Sequence, residues 1–173
     1  MKQWYMLTVV GKDRPGIVAG LSSALYQAGA NLGEASMVRL GGNFTIMLMV
    51  EAGANEAAFQ QQLENFARPM LLHVHLDRIE GHLHQHLEPN VEITVHGADR
   101  PGIVAQVTSA LSAAGFSILD LDSDVGGTDD RPIYIMVMDG HVPGGVPALA
   151  SALDAVRQSG IEIRATPVQT LVG

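Results

Sequence analysis

The sequence contains no cysteine, few aromatic residues and few basic ones. Without cysteine the chain forms no disulfide, no thiolate zinc site and no thiol nucleophile, and it is compatible with a reducing compartment. Ten Lys and Arg stand against eighteen Asp and Glu, which gives a formal net charge of -8 at pH 7. No basic run occurs either, so direct binding to nucleic acid or to an anionic membrane is not expected. A protein or a small molecule is the expected partner.

The motifs of common catalytic and nucleotide sites are also missing. The sequence has no Gly-x-Ser-x-Gly nucleophile motif, no Walker loop and no Rossmann glycine pattern. No apolar run reaches the length of a membrane-spanning helix, and residues 1–5 lead into an alternating strand pattern instead of a secretory leader. We therefore expect a cytoplasmic protein that is not an enzyme, has no catalytic residues and carries no cofactor.

One nine-residue motif occurs twice. Residues 11–19 read GKDRPGIVA and residues 97–105 read GADRPGIVA. Each copy follows an apolar run and precedes apolar residues at helical spacing, which predicts a strand, a tight turn and the start of a helix. The unpaired backbone N–H groups at such a helix start can hold a carboxylate. The repeat predicts two domains, residues 1–80 and 90–173, joined by a polar linker at residues 81–89.

Both halves have the element order β-α-β-β-α-β, which is the ferredoxin-like arrangement. The predicted fold is α+β, with two domains that each have an antiparallel four-stranded sheet and two helices on one face. Asp13 or Arg14 is expected to cap the first helix, with Pro15 inside its first turn. The predicted hairpin turns are residues 41–43 in the first half and the longer segment 126–132 in the second.

The third predicted strand of each half is apolar on both faces. Because two helices cover only one face of such a sheet, the other face would normally carry polar residues. We therefore expect the methionine-bearing face to meet another sheet, from the sister repeat or from a second chain, so a homo-oligomer is expected. The alternative is that methionine simply fills the core. The methionine-bearing faces carry Thr45, Met47 and Met49 in the first half and Tyr134, Met136 and Met138 in the second.

The motif and its surroundings resemble a known family. Two copies of Asp-Arg-Pro-Gly-Ile-Val between strand and helix, with Gly-Ala-Asn-Leu at residues 29–32, resemble tandem ACT domains, the small-molecule regulatory modules of amino-acid metabolism. The segment LGGNFT at residues 40–45 and the two-domain layout resemble the glycine cleavage system transcriptional repressor family. This resemblance covers nearly the whole chain. It implies a sensor of an amino acid, with glycine the first to consider, that acts on a DNA-binding activator protein.

The resemblance also implies where the amino acid binds. In ACT domains the ligand lies between the loop after the first strand of one domain and the second strand of its neighbour. Asp13 would accept from the ammonium group, while the Asn31 amide and free helix N–H groups would donate to the carboxylate. The implied ligand residues are Gly11, Asp13, Pro15, Gly16, Ile17 and Asn31 in the first copy and Gly97, Asp99, Pro101, Gly102, Ile103 and Ser117 in the second.

The second copy departs from the family pattern at one position. Ser117 stands where Asn31 would fall, and its shorter hydroxyl cannot offer a donor and an acceptor on separate atoms. We therefore expect the second site to be weaker, altered or purely structural. The alternative for both copies is that Asp13 and Asp99 are only helix caps and that Asn31 is only a turn residue.

Two clusters of potential metal ligands remain open. Five of the seven histidines lie between His73 and His86, and His82, His84 and His86 would point to one side of an extended segment, as a zinc or nickel site requires. The favoured interpretation is a polar connector without metal. Alternating acids at Asp120, Asp122 and Asp124 are expected to form a solvated edge that blocks strand pairing, and not a cation site.

Two other functions stay open at this stage. The chain could be a regulatory subunit of an enzyme of amino-acid metabolism, or a constitutive scaffold whose ligand sites are vestigial.

Overall fold

The chain consists of two compact units in the computed structural model, which describes residues 2–53, 55–80, 87–128 and 131–168. The units are Met1–His84 and Gln85–Gly173. Each contains one four-stranded antiparallel sheet and two α-helices, in the order β-α-β-β-α-β. The predicted α+β fold of two ferredoxin-like domains is therefore confirmed.

The first unit has its sheet in the order β2-β3-β1-β4. Strand β2 pairs with β3 through a two-residue turn, in which Gly41 and Gly42 have φ values of 56° and 75°. Positive φ at both central residues is the geometry of the hairpin turn that the Gly-Gly pair predicted. A short 3₁₀ turn at Arg68–Met70 precedes the last strand. The elements are β1 (Lys2–Lys12), α1 (Ile17–Gln27), β2 (Asn31–Leu40), β3 (Asn43–Gly53), α2 (Glu56–Ala67) and β4 (His73–Ile79).

The second unit repeats this topology with the sheet order β6-β7-β5-β8. Pro147 lies in a short 3₁₀ turn, Val146–Leu149, and the second helix of the unit begins only after it. The elements are β5 (Val91–Ala98), α3 (Ile103–Ala113), β6 (Ser117–Thr128), β7 (Arg131–His141), α4 (Ala150–Gln158) and β8 (Glu162–Pro167).

The predicted turn at residues 126–132 is wrong. Gly126 pairs with Ile133, Gly127 with Pro132 and Thr128 with Arg131. The β6–β7 ladder therefore continues through most of the segment that was predicted to form the turn. Glycine and proline favour turns by composition, but here the hydrogen bonds to the facing strand outweigh that preference. The two residues between β6 and β7 lie outside the described residues.

Both cores lie between the sheet and its helices. Alternate residues of the two central strands face the helices, as the period of a strand requires. Apolar stripes of the helices complete the core, and Ile17, Leu21 and Leu25 of α1 are buried. The remaining core residues of the first unit include Tyr5, Leu7, Val9, Phe44, Ile46, Leu48, Val50, Phe59 and Leu63, and those of the second include Ile93, Val95, Ile103, Val107, Leu111, Met136, Met138, Leu149, Leu153 and Val156.

The prediction of one methionine-bearing face that meets another sheet is wrong for the second unit. Met136 and Met138 are fully buried beneath the helices of that unit, because they lie opposite Val95 and Ile93 in the ladder and so share the core face. In the first unit, Met47 lies on the face away from the helices and is 46% exposed. The methionines of the two repeats therefore do not form an equivalent surface.

The strands β2 and β6 are sheet edges, and the helices leave them uncovered. All ten residues of β2 are exposed, including the apolar Leu32, Met37 and Val38. Asp120, Asp122 and Asp124 are exposed on β6, as predicted for an edge strand. An open strand edge with unpaired backbone groups is a place where another chain can pair.

The metal hypotheses receive no support from the described part of the chain. Within it, no group of three His, Asp or Glu side chains is arranged to hold a metal ion. His73 and His75 are exposed on the edge strand β4, and the His75 ring lies 3.0 Å from the Asp77 carboxylate. His82, His84 and His86 lie outside the described residues, so the predicted His cluster stays a prediction.

The four helices of the described ranges are short. The longest has 12 residues, and none is long and apolar enough to cross a membrane.

A substitution at Gly140 tests the packing of the second unit. A Cβ on Gly140 would lie 2.4 Å from the Ser117 carbonyl oxygen and 2.3 Å from the Phe116 ring. Since backbone cannot shift cheaply, we expect Gly140→Ala to lower the free energy of unfolding by about 2–3 kcal/mol in a denaturant titration. Gly53→Ala, whose Cβ would meet no atom within 4 Å, is the control and should be neutral or slightly stabilising. Equal stabilities of the two variants would contradict this packing.

Candidate functional site

The repeated motif forms a tight turn that ends in a left-handed glycine. Gly16 has φ 90° and precedes the first residue of α1, and Gly102 has φ 88° before α3. No side chain caps either helix. The prediction that Asp13 or Arg14 caps α1 is therefore wrong, and Pro15 lies before the helix and not in its first turn. The left-handed conformation, which glycine adopts without steric cost, makes the turn and leaves the first helical N–H groups without a side-chain partner.

A cavity of about 360 Å³ opens at the start of α1. The β2–β3 hairpin forms its other wall, because Arg39 pairs with Phe44 and Met37 pairs with Ile46 on the helix-facing side of the sheet. The cavity therefore brings four predicted ligand residues together with part of an edge strand. The residues that line it are Asp13, Arg14, Pro15, Gly16, Ile17, Val18, Ala19, Met37, Arg39 and Phe44.

Asp13 is held at the mouth of this cavity by two contacts. Its backbone N–H donates to the Gly42 carbonyl oxygen at 3.0 Å, which ties the turn to the hairpin. Its carboxylate forms an ion pair with the Arg39 guanidinium. The Asp13 side chain is 22% exposed, whereas that of Arg39 is 68% exposed. The cavity thus has a half-buried carboxylate, that of Asp13, next to a solvent-exposed guanidinium, that of Arg39.

The first glycine of each motif copy has a packing role in the structure. A Cβ on Gly11 would lie 2.7 Å from the Leu72 side chain and 3.2 Å from the Leu71 carbonyl oxygen. A Cβ on Gly97 would lie 2.8 Å from the Ile103 side chain. Close packing against backbone therefore favours glycine at Gly11, whereas at Gly97 the close neighbour is the end of a side chain that can shift. The predicted contact of both glycines with a ligand stays a prediction.

Asn31 does not lie at the cavity of its own unit. It starts β2, opposite Glu51, whereas Arg39 lies near the other end of the same strand. Eight residues at about 3.3 Å each separate the two by roughly 26 Å. The structure therefore brings Asp13, Pro15, Gly16 and Ile17 together and leaves Asn31 apart from them.

The Asn31 amide is already engaged. Its Nδ2 donates to Glu51 Oε2 at 3.2 Å, and the Lys2 ammonium donates to the same oxygen at 2.8 Å. The hydrogen bond from Lys2, and after it the one from Asn31, hold the pKa of Glu51 below its usual range. Asn31 is thus one member of a three-residue polar cluster on the face of the sheet away from the helices.

The second unit has the same turn with different residues facing it. The Asp99 N–H donates to the Pro132 carbonyl oxygen at 3.2 Å, as Asp13 does to Gly42. However, Val125 pairs with Tyr134 in the register where Arg39 pairs with Phe44, and Ser123 takes the place of Met37. Strand β6 therefore offers no cation at the position that faces Asp13 in the first unit.

Arg39 and Met37 are the cavity residues of strand β2 that the sequence analysis missed. A signal for them exists in the hairpin. A two-residue turn at Gly41 and Gly42 places Leu40 opposite Asn43, and hence Arg39 opposite the core residue Phe44. Arg39 could therefore have been placed on the helix-facing side of the sheet from the turn length alone.

Family comparison gives a match for each unit. Residues 4–77 match one model of the ACT domain, and residues 91–163 match another. The UPF0237 protein YjhC of Lactococcus lactis is 36% identical over 72 residues, which are 41% of this chain and 83% of that protein. The glycine cleavage system transcriptional repressor of Escherichia coli is 23% identical over 123 residues, 70% of this chain and 65% of that protein.

Two solved structures share the fold along nearly the whole chain. An unknown protein from Galdieria sulphuraria is 26% identical, with a TM-score of 0.78 over 98% of this chain and 100% of that one. A candidate glycine cleavage system transcriptional repressor is 20% identical, with a TM-score of 0.76 over 98% and 99% of the two chains. With one ACT-domain match on each structural unit, the chain belongs to the ACT-domain family and carries two copies of the domain in tandem.

Proposed function

We propose that the protein is a non-enzymatic regulator that binds a free amino acid at the cavity of the first unit and signals to a protein partner. The observation that carries this proposal is the Asp13–Arg39 pair beside the uncapped start of α1. Membership of the ACT-domain family supports a regulatory role, and a relative named as a glycine cleavage system repressor makes glycine the first amino acid to test.

The chemistry of the cavity complements an amino acid. Its ammonium group needs an acceptor, which the Asp13 carboxylate supplies. Its carboxylate needs donors, which the N–H groups at the start of α1 and the Arg39 guanidinium supply. Met37 and Phe44 provide apolar wall beside these groups. A small zwitterion therefore matches the charges of the cavity and fits within its volume.

Asn31 fits this function through a second copy of the chain. It is too distant from Asp13 in its own unit, but β2 is an edge strand whose residues are all exposed. Antiparallel pairing of two β2 strands would bring Asn31 of one copy to the Arg39 end of the other. We therefore propose a homo-oligomer paired through β2, in which the Asn31 amide of a neighbouring copy reaches the ligand after it leaves Glu51 on the other face of the sheet.

The partner that we propose is a DNA-binding activator protein. With a net charge of -8 and no basic run, the chain is poorly suited to contact DNA itself. A ligand that favours one arrangement of the chain would change the surface offered to that partner, which is a shift between pre-existing states.

Amino-acid binding is tested by calorimetry of the full chain with each common amino acid. We expect at least one to bind with a Kd below about 1 mM. Asp13→Asn, which keeps the shape of the side chain and removes its charge, should weaken that binding at least tenfold, about 1.4 kcal/mol. Asp99→Asn is the matched control in the second unit and should leave the affinity unchanged. Absence of millimolar binding, or equal losses in the two variants, would refute the proposal.

The polar cluster around Asn31 is tested by an NMR titration of the Glu51 carboxyl. Its pKa should lie below the usual glutamate range, should rise most in Lys2→Met and should rise less in Asn31→Ala. Because the pKa is lowered in the folded state, the pairing stabilises the fold above the pKa of the unfolded chain. This contribution is lost as the pH falls through the folded-state value.

Asn43→Ala is the control for this titration, since its amide bonds to the Gly41 carbonyl oxygen and not to Glu51. A Glu51 carboxyl that titrates in the ordinary range, or that responds equally to Asn31→Ala and Asn43→Ala, would show that the amide is not held in this cluster.

A further inference from the structure

Two of the charged groups that line the first cavity, Asp13 and Arg39, are already paired with each other. Asp13 is the one partner of the Arg39 guanidinium among the described residues. A ligand must therefore compete with an existing ion pair. This competition determines which ligands the cavity can accept.

We propose that Arg39 makes the cavity selective for zwitterions. The ligand inserts between the two side chains. Its ammonium group then pairs with the Asp13 carboxylate, and its carboxylate pairs with the Arg39 guanidinium. This rests on the proposed function of the cavity as an amino-acid site, and it assigns the recognition of the ligand carboxylate to a side chain of the same unit.

The exchange of partners explains the selectivity. An ion pair with one solvent-exposed partner contributes little and is readily opened. A zwitterion replaces both of its charges at once, and each new contact is a charge-assisted hydrogen bond. An amine alone leaves Arg39 without its partner, and a carboxylic acid alone leaves the half-buried Asp13 without one. Either ligand therefore loses an interaction that the free protein had.

The placement of the two side chains suits such an insertion. The Asp13 backbone N–H donates to the Gly42 carbonyl oxygen, and the Asp13 side chain is half-buried. These two features keep the carboxylate in place. Arg39 lies on the uncovered edge strand, two residues before the Gly41–Gly42 turn, with most of its side chain in solvent. The arginine can therefore swing outward to admit a ligand and still reach its carboxylate.

The second unit supplies the natural comparison. Val125 occupies the register position of Arg39, so its turn carries the acid Asp99 without a facing arginine on β6. Replacing Arg39 by valine in the first unit reproduces this arrangement. Because Arg39 is exposed and outside the core, the replacement should leave the fold intact, which circular dichroism and the thermal midpoint check.

The test compares the Kd values of glycine, alanine and serine with those of methylamine, ethylamine, acetate and propionate by calorimetry. The unaltered protein should bind the amino acid at least tenfold more tightly than either single-charge analogue. Arg39→Val should weaken amino-acid binding at least tenfold and reduce its preference over the amine to less than about threefold. Arg39→Lys should keep most of the preference, because it keeps the positive charge.

The outcomes separate this inference from the proposed function. If the unaltered protein binds none of the amino acids, the proposed function fails and the selectivity fails with it. If an amino acid binds and Arg39→Val keeps both its affinity and its preference over the amine, the function stands and the role of Arg39 is overturned.

Discussion

In each unit, two short helices pack on one face of the four-stranded sheet, and they do not extend over the edge strands β2 and β6. The helices pack over the central strands, where the buried side chains of β1, β3, β5 and β7 lie. The edge strands β2 and β6 stay outside this cover. Burial of the central strands thus determines what remains available at the surface. The cavity forms where the start of a covering helix lies beside the end of an uncovered strand.

The two repeats share this construction and differ in the residues that use it. Both have a left-handed glycine before the first helix and an aspartate tied by its N–H to the facing hairpin. Arg39 faces that turn in the first unit, and Val125 replaces it in the second. At the far end of the strand, Asn31 lies opposite Glu51, whereas Ser117 lies opposite His141. One scaffold therefore supports an aspartate–arginine pair in one copy and, in the other, an aspartate with no facing cation on β6.

Most of the fold could be predicted because it follows from local pattern. The apolar stripes of α1 and α3, the alternation in the central strands and the Gly41–Gly42 turn each depend on neighbours in the sequence. Features that depend on distant pairing were missed. The sheet face on which Met136 and Met138 lie is determined by the register of β7 with β5. The strand structure of Gly126, Gly127 and Pro132 depends on the pairing of β6 with β7, which the amino-acid composition of the segment does not indicate.

The candidate site shows the same division. The motif correctly predicted the turn at Asp13 and Gly16. The helix cap was predicted wrongly, because aspartate often caps helices, whereas here the left-handed Gly16 forms the turn and precedes α1. Arg39 lies 26 positions beyond Asp13 in the chain, and only the hairpin register brings it back to the turn. Asn31 was expected to reach the ligand from a neighbouring domain. It lies at the opposite end of its own strand from Arg39, and its part in the site stays a prediction.

We propose that an amino acid binds at the first turn and not at the second. Backbone amide chemical shifts during an amino-acid titration test this most directly, because both turns are observed in one protein. We expect chemical-shift changes that saturate together at residues 13–19 and at Arg39, with residues 99–105 unchanged. Shifts confined to residues 99–105, or equal shifts at both turns, would contradict it.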